Sequence, residues 1–225
     1  MPHAAVLAHR DIANQIGLIG EWLNARGWTH RRLWREDDVD TSGDGFPEAD
    51  ALIVLGSLDS VANGHCAVWA ADEMERIRRW IGEDRPFLGV CFGAQILATT
   101  LGGEVQRRST FYRAVETVPW SGESSRGPWV LWHEDAITSS GSAEVVSELP
   151  HAVIALRSGN AWGVQAHIEL DALALERLAQ AVDAPEEASR PLIDLLRENA
   201  AGVKAAPFEF LDLAFSSPST QAHAS

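Results

Sequence analysis

The stretch Phe87-Leu-Gly-Val-Cys-Phe-Gly-Ala-Gln sets a cysteine, Cys91, between an apolar run of strand type and a run of helical type. A strand that ends, a single residue that turns sharply and a helix that starts at once make a nucleophile elbow, here with sulfur in place of serine oxygen. Gly89 and Gly93, two residues to either side, let the backbone pass close without a Cβ clash. A cysteine at a helix N-terminus meets a dipole and free N–H groups that favour thiolate over thiol. The Phe92 N–H then points towards an oxyanion formed beside the sulfur. The other cysteine, Cys66, has no comparable setting.

A thiolate nucleophile needs a base, and the base needs a group that orients it. Of the eight histidines, His3, His9, His30, His65, His151 and His223 stand in terminal or loop-like contexts. His133 follows the apolar run Trp129-Val-Leu-Trp. His167 comes directly after Gly163-Val-Gln-Ala, at the end of an expected short strand, with Glu169 two residues on. Residues i and i+2 of an extended segment share a face, so Glu169 can hold one imidazole nitrogen while the other meets the thiolate. A core histidine is the plainer alternative, and the carboxylate at this spacing argues against it. His65 and Cys66 are adjacent rather than spaced as ligands and no third ligand stands out, so neither a metal nor another cofactor is expected.

Short apolar runs alternating with segments of helical period predict an α/β fold around an open, mostly parallel sheet. Ala4–Ala8, Thr29–Leu33, Ala51–Leu55, Phe87–Val90 and Gly163–Ala166 read as strands. Helices are expected from Ile12 to Gly27 and from Ala67 to Gly82, in the second half of Cys91–Leu101 up to Gly102-Gly103, and in two closing helices at Leu173–Val182 and Pro191–Asn199. Thr41-Ser-Gly-Asp-Gly-Phe-Pro reads as a loop and Glu104–Leu156 as shorter β segments. One domain over residues 1–215 is expected, followed by a frayed tail at 216–225.

With 18 Lys+Arg against 32 Asp+Glu, the chain carries a formal net charge of −14. Without clustered positive charge, nucleic-acid binding is not expected. No apolar run approaches the length of a membrane helix, and the N-terminus has no basic region of a signal peptide. Two cysteines make no disulfide framework, which fits a reducing cytoplasm. Nine tryptophans accompany a single tyrosine, Tyr112.

Three segments together resemble the class I (triad) glutamine amidotransferases, in that family's order. They are Leu52-Ile-Val-Leu-Gly-Ser, Gly89-Val-Cys-Phe-Gly-Ala-Gln and Gly163-Val-Gln-Ala-His-Ile-Glu. The likeness runs from about Ala4 to the last helix, and is to free-standing members related to the glutaminase domain of GMP synthase. It implies a flavodoxin-like fold with a smaller antiparallel β segment. It also implies that Cys91 attacks a γ-glutamyl amide, His167 protonates the leaving amine and Glu169 orients His167. The oxyanion would be held by Phe92 N–H and an N–H at Gly56 or Ser57, with Gln95 contacting the glutamyl part. The family's Gly-Gly-Pro is Gly56-Ser57-Leu58 here, its aromatic residue before the histidine is Ala166 and its following proline is Ile168. None of these departures removes a reacting group.

If glutamine is the substrate, ammonia would pass to a separate synthase subunit. A free-standing hydrolase of larger γ-glutamyl amides is the second enzyme reading, with Trp132, His133 and Tyr112 as the aromatic residues expected nearest the substrate. A catalytically silent regulatory module on the same fold is the alternative from another class. The complete set of Cys91, His167 and Glu169 speaks against it. A protease on a similar fold commonly has His directly after the nucleophile, where this chain has Phe92.

Overall fold

The computed structural model describes residues 1–10, 15–37, 46, 48–64 and 66–215. The predicted loop at 41–47, apart from Phe46, the predicted tail at 216–225, His65 and His223 lie outside them, as does Ile12. Seven strands form one sheet in the order β2-β1-β3-β4-β9-β8-β7. These are β1 (His3–Ala8), β2 (Thr29–Trp34), β3 (Ala51–Val54), β4 (Phe87–Val90), β7 (Glu144–Leu149), β8 (Ala152–Ser158) and β9 (Ala161–Val164). The five from β2 to β9 pair in parallel, whereas β8 runs antiparallel to both β9 and β7. β5 (Glu104–Trp120) and β6 (Glu123–Ser139) form a separate antiparallel ribbon. The expected mostly parallel sheet with a smaller antiparallel part is the architecture observed.

β3 and β4 are buried along their whole length, as continuous apolar runs in a parallel sheet must be. Their alternate residues face opposite layers. Ala4, Val6 and Ala8 pack with α1 (Gly17–Ala25) and α6 (Ala200–Ala214), while Ala5 and Leu7 pack with α2 (Ala67–Gly82) and α3 (Phe92–Thr100). α4 (Ala172–Ala181) and α5 (Glu186–Glu198) pack in a third cluster with Val130 and Trp132 of the ribbon. Loops leave the sheet at the carboxyl ends of β3, β4 and β9, and carry Ser57, Cys91 and His167 to one edge. No helix among the described residues is long and apolar enough to cross a membrane.

The structure differs from the sequence reading at several elements. The strand expected at Gly163–Ala166 is Ala161–Val164, and the first helix begins at Gly17. The middle of the chain is not a set of short segments: β5 and β6 are 17 residues each, and register shifts break their alternation into pieces. α5 begins at Glu186 and carries Pro191 inside it rather than opening on it. A third closing helix, α6, follows directly, with Pro207 in its interior. Proline lacks the N–H that continues a helix, so both helices read as interrupted in sequence.

α6 is tied into the core by Phe210, which is fully buried. Its ring meets Trp120, Trp129 and Trp162 with centroids 5.8, 5.6 and 5.5 Å away. Phe210→Ala should therefore lower the unfolding free energy in urea by about 3–5 kcal/mol. A loss no larger than that of an exposed substitution would mean that α6 is an appendage to the core.

Candidate active site

Cys91 joins β4 to α3 at φ 51° and ψ −105°, a conformation that non-glycine residues seldom adopt. The two neighbouring glycines explain how the chain tolerates it. A Cβ on Gly89 would lie 2.4 Å from the Gly93 carbonyl group, and one on Gly93 only 2.2 Å from the Val54 carbonyl oxygen. α3 thus starts hard against β3 and β4, with no room for side chains between them. The Cys91 N–H donates to the Val164 carbonyl at 2.8 Å, which ties the turn to β9. Phe92 opens α3, so its N–H has no acceptor within the helix.

His167 stands three residues past β9 and is fixed through its own backbone, whose N–H donates to the Val130 carbonyl at 2.7 Å. Its Nδ1 lies 2.6 Å from Glu169 Oε1, and the Cys91 sulfur is near enough to act on its charge. Both His167 and Glu169 are buried. Burial alone would push the imidazole pKa down. The Glu169 carboxylate and the Cys91 sulfur outweigh it and hold the pKa well above the ordinary value. The Glu169 backbone is anchored as well, its carbonyl accepting from the Leu18 N–H at 2.9 Å. The Gln165 amide donates to Cys91 Sγ at 3.6 Å.

Gly56 and Ser57 follow β3 on the other side of the cysteine. The Gly56 carbonyl accepts from Arg35 Nη1 at 3.4 Å, and a trans peptide then directs the Ser57 N–H away from that guanidinium. Arg35 forms a buried two-pronged pair with Glu73, at 2.9 and 3.0 Å, and lies over the rings of Phe92 and Trp69. Asp135, on β6, binds three parts of the site together. Its carboxylate accepts from Ser60 Oγ at 2.5 Å and from the Ala62 N–H, and pairs with Arg107 at 3.5 Å. Its backbone carbonyl accepts from Gln95 Nε2 at 3.1 Å and faces His133 Nδ1 at 2.9 Å.

A cavity of about 490 Å³ opens beside these groups, with Cys91, His167, Ser57, Gln95, Trp132 and His133 in its wall. A carbonyl only accepts, so His133 Nδ1 carries the proton shared with Asp135. Burial comes first in pushing the His133 pKa down to about 4, with His151 and His167 adding to it and the Asp135 carbonyl opposing. The neutral ring leaves Nε2 as a buried acceptor with no partner. Tyr112 is placed elsewhere. It is not a wall residue: its hydroxyl donates to Glu116 at 2.7 Å, its ring centroid lies 3.9 Å from that of His151, and it backs the His133 ring at 5.8 Å. Of the tryptophans only Trp132 lines the cavity among the described residues. Sequence reasoning missed Arg35, Asp135, Phe111 and Arg113; the last two also stand in the wall. Arg113 sits one register step across the ribbon from Trp132, a pairing invisible without the hairpin register. Among the described residues no three His, Cys, Asp or Glu side chains gather to hold a metal ion.

A family model described as glutamine amidotransferase class-I matches residues 25–172. The GMP synthase [glutamine-hydrolyzing] of Aeropyrum pernix is 30% identical over 142 residues, 59% of this chain and 26% of that protein. The enzyme of the same name from Thermus thermophilus is 34% identical over 122 residues, 49% of this chain and 24% of that protein. The chain thus matches about a quarter of the length of these relatives. The solved structure of a glutamine amidotransferase from Thermotoga maritima is similar in fold, with a TM-score of 0.81 at 21% identity. That match covers 96% of this chain and 99% of that one.

The low pKa of His133 has a consequence for acid stability. The unfolded ring takes up a proton near pH 6.5 and the folded ring only near pH 4, so the unfolded state binds more protons between them. Stability contributed by the neutral ring is therefore complete above pH 6.5 and is lost as pH falls through 4, by about 3 kcal/mol in total. His133→Gln, which keeps a donor for the Asp135 carbonyl, should flatten the urea-midpoint profile over that window. An acid limb as steep as that of the wild type would assign the loss to other groups.

Proposed function

The chain belongs to the class I glutamine amidotransferase family, and from that premise we propose that it hydrolyses the γ-amide of glutamine or of a larger γ-glutamyl amide. The observation that carries this reading is the His167 imidazole, bonded to Glu169 and standing with Cys91 in the wall of one cavity. The Cys91 thiolate attacks the γ-carbonyl carbon, and the carbonyl electron pair moves to oxygen. The Phe92 N–H and an N–H at Gly56 or Ser57 hold that oxyanion, each donor worth roughly 10²–10³ in rate. The imidazolium of His167 gives its proton to the departing nitrogen, the C–N bond breaks, and ammonia or an amine leaves a glutamyl thioester. Water then attacks the thioester as His167 takes its proton, and collapse releases glutamate and restores the thiolate–imidazolium pair.

Glu169 keeps the ring oriented and compensates its charge throughout. Gln95, Trp132 and His133 bind substrate in this reading, all three standing in the cavity wall. Tyr112 supports the His133 ring and does not touch substrate.

Two identities for the leaving group follow from different observations. The GMP synthase relatives support ammonia, passed on to a separate synthase subunit. The apolar part of the wall, with Phe111, Trp132, Leu178 and Val182, supports a larger amine. An apolar amine gains about 1–3 kcal/mol from such a wall, or roughly 10–200-fold in specificity. The ratio of kcat/KM for γ-glutamyl anilide and for glutamine, with the chain alone, separates them. A ratio far above one supports the larger amine; turnover of glutamine alone, rising when a synthase is added, supports ammonia transfer.

Cys91→Ala should abolish glutamate release, and His167→Ala should cost nearly as much, because the residues act as a unit. Glu169→Gln should cost less, since it retains the side-chain shape. Cys66→Ala should leave activity nearly intact. Burial pushes the Cys66 thiol up, and its Sγ donates to the Ser60 carbonyl at 3.3 Å. Equal loss from Cys91→Ala and Cys66→Ala, with both variants folded, would refute the assignment.

A further inference from the structure

Two arginines stand in the wall of the catalytic cavity, and they differ in how they are satisfied. Arg107 is paired with Glu134 and with Asp135. Arg113 has no carboxylate within ion-pair distance and no hydrogen-bond acceptor among the described residues. Its Nε is shut off from solvent without a partner. Its guanidinium carbon lies 4.3 Å from the centroid of the Phe111 ring and 4.9 Å from that of Trp132. The two rings meet edge to face at 6.4 Å, and Trp132 is the cross-strand partner of Arg113 in the ribbon.

This setting meets part of what a guanidinium requires. Ring faces attract its charge, but they have no lone pairs for its five N–H donors. The Nε–H shut off without an acceptor is costly, and the half-exposed residue stands in the wall of the cavity. Asp183 stands in the same wall, yet among the described residues no acid is paired with this cation. The acceptor that matches a planar fork of donors is a carboxylate.

We propose that Arg113, seated against Phe111 and Trp132, is a carboxylate-binding subsite of the catalytic cavity that anchors an acidic group of the substrate. The proposal deepens the γ-glutamyl amidase reading and rests on it for the identity of the substrate. Under that reading one carboxylate chemistry has two sources: the α-carboxylate of the glutamyl part, or an acid carried by an aromatic leaving amine.

The test uses glutamine, γ-glutamyl anilide and the γ-glutamyl conjugate of 4-aminobenzoate. Binding is read by calorimetry in Cys91→Ala protein with and without Arg113→Gln, and kcat/KM in protein that retains Cys91. Arg113→Gln should weaken binding and kcat/KM by roughly 10–100-fold wherever Arg113 holds the acid. An equal loss for all three compounds identifies the α-carboxylate. A loss confined to the 4-aminobenzoate conjugate identifies the acid of the leaving group. Arg113→Lys keeps the charge but not the fork, and should fall between wild type and Arg113→Gln. Both variants should stay folded, their melting lowered only by the weakened contact with Phe111 and Trp132, and binding is compared well below either transition. Unchanged binding of all three compounds in Arg113→Gln overturns the subsite. Arg113-dependent binding without any turnover by protein that retains Cys91 overturns the hydrolase reading and leaves the subsite standing.

Discussion

The site depends on the absence of two Cβ atoms. α3 can start directly at the end of β4 only because Gly89 and Gly93 let backbone meet backbone at distances no side chain allows. That contact forces the joining residue to positive φ, and the joining residue is Cys91. Strain of about 1–3 kcal/mol at such a residue persists only where the surroundings over-determine it. Here β3 holds one flank through Val54 and β9 holds the other through the Val164 carbonyl. The fully buried parallel strands are therefore the clamp that keeps the sulfur at the edge of the sheet, and their apolar runs serve the site as much as the core.

The second requirement is to keep charge in a dry place without leaving it alone. His167 and Glu169 are both buried, a costly arrangement for either one singly. The close pair offsets that cost, and the Cys91 sulfur acts on the same imidazole. The opposite wall is held by Asp135, whose two carboxylate oxygens and backbone carbonyl reach the 60–62 turn, Arg107, Gln95 and His133. A single residue of the ribbon thus aligns α3, the loop after β3 and an aromatic wall. The antiparallel ribbon, though not part of the main sheet, is what closes the cavity.

The sequence disclosed what is local and hid what is long-range. The elbow is legible because its glycines lie two residues from Cys91; Glu169 does meet His167, but across a turn at 168–169 and not along the strand its spacing suggests. The Asp135 carboxylate acts across separations of 28 to 75 residues, and Arg35 meets Glu73 across 38; neither ion-pairing pattern has a signature at short spacing. The tryptophans were ambiguous for the same reason. Trp120, Trp129 and Trp162 gather around Phe210, and Trp22 with Trp28 around Phe215, through contacts that only the folded chain creates. α6 escaped because Pro207 interrupts its pattern, although its buried face of Val203, Ala206, Phe210 and Leu211 has helical spacing.

The turn after β3 shows how a departure from a family pattern is absorbed. Where the family has a second glycine, Ser57 brings a side chain, and its hydroxyl is used locally. Ser57 Oγ accepts from the Asp59 N–H at 3.0 Å and lies 2.9 Å from His9 Nε2. The other nitrogen of that ring faces Glu36 at 2.7 Å. A serine bonded to the N–H two residues on builds the turn that glycine would only permit. Arg35 adds the remaining control by holding the Gly56 carbonyl, since one planar peptide cannot direct its C=O towards the guanidinium and its N–H the same way. Because Arg35 also lies over the Phe92 ring and is itself locked by Glu73, both N–H groups proposed for the oxyanion are referred to one buried ion pair. The missing glycine costs the turn its flexibility, and this chain replaces that flexibility with fixed geometry.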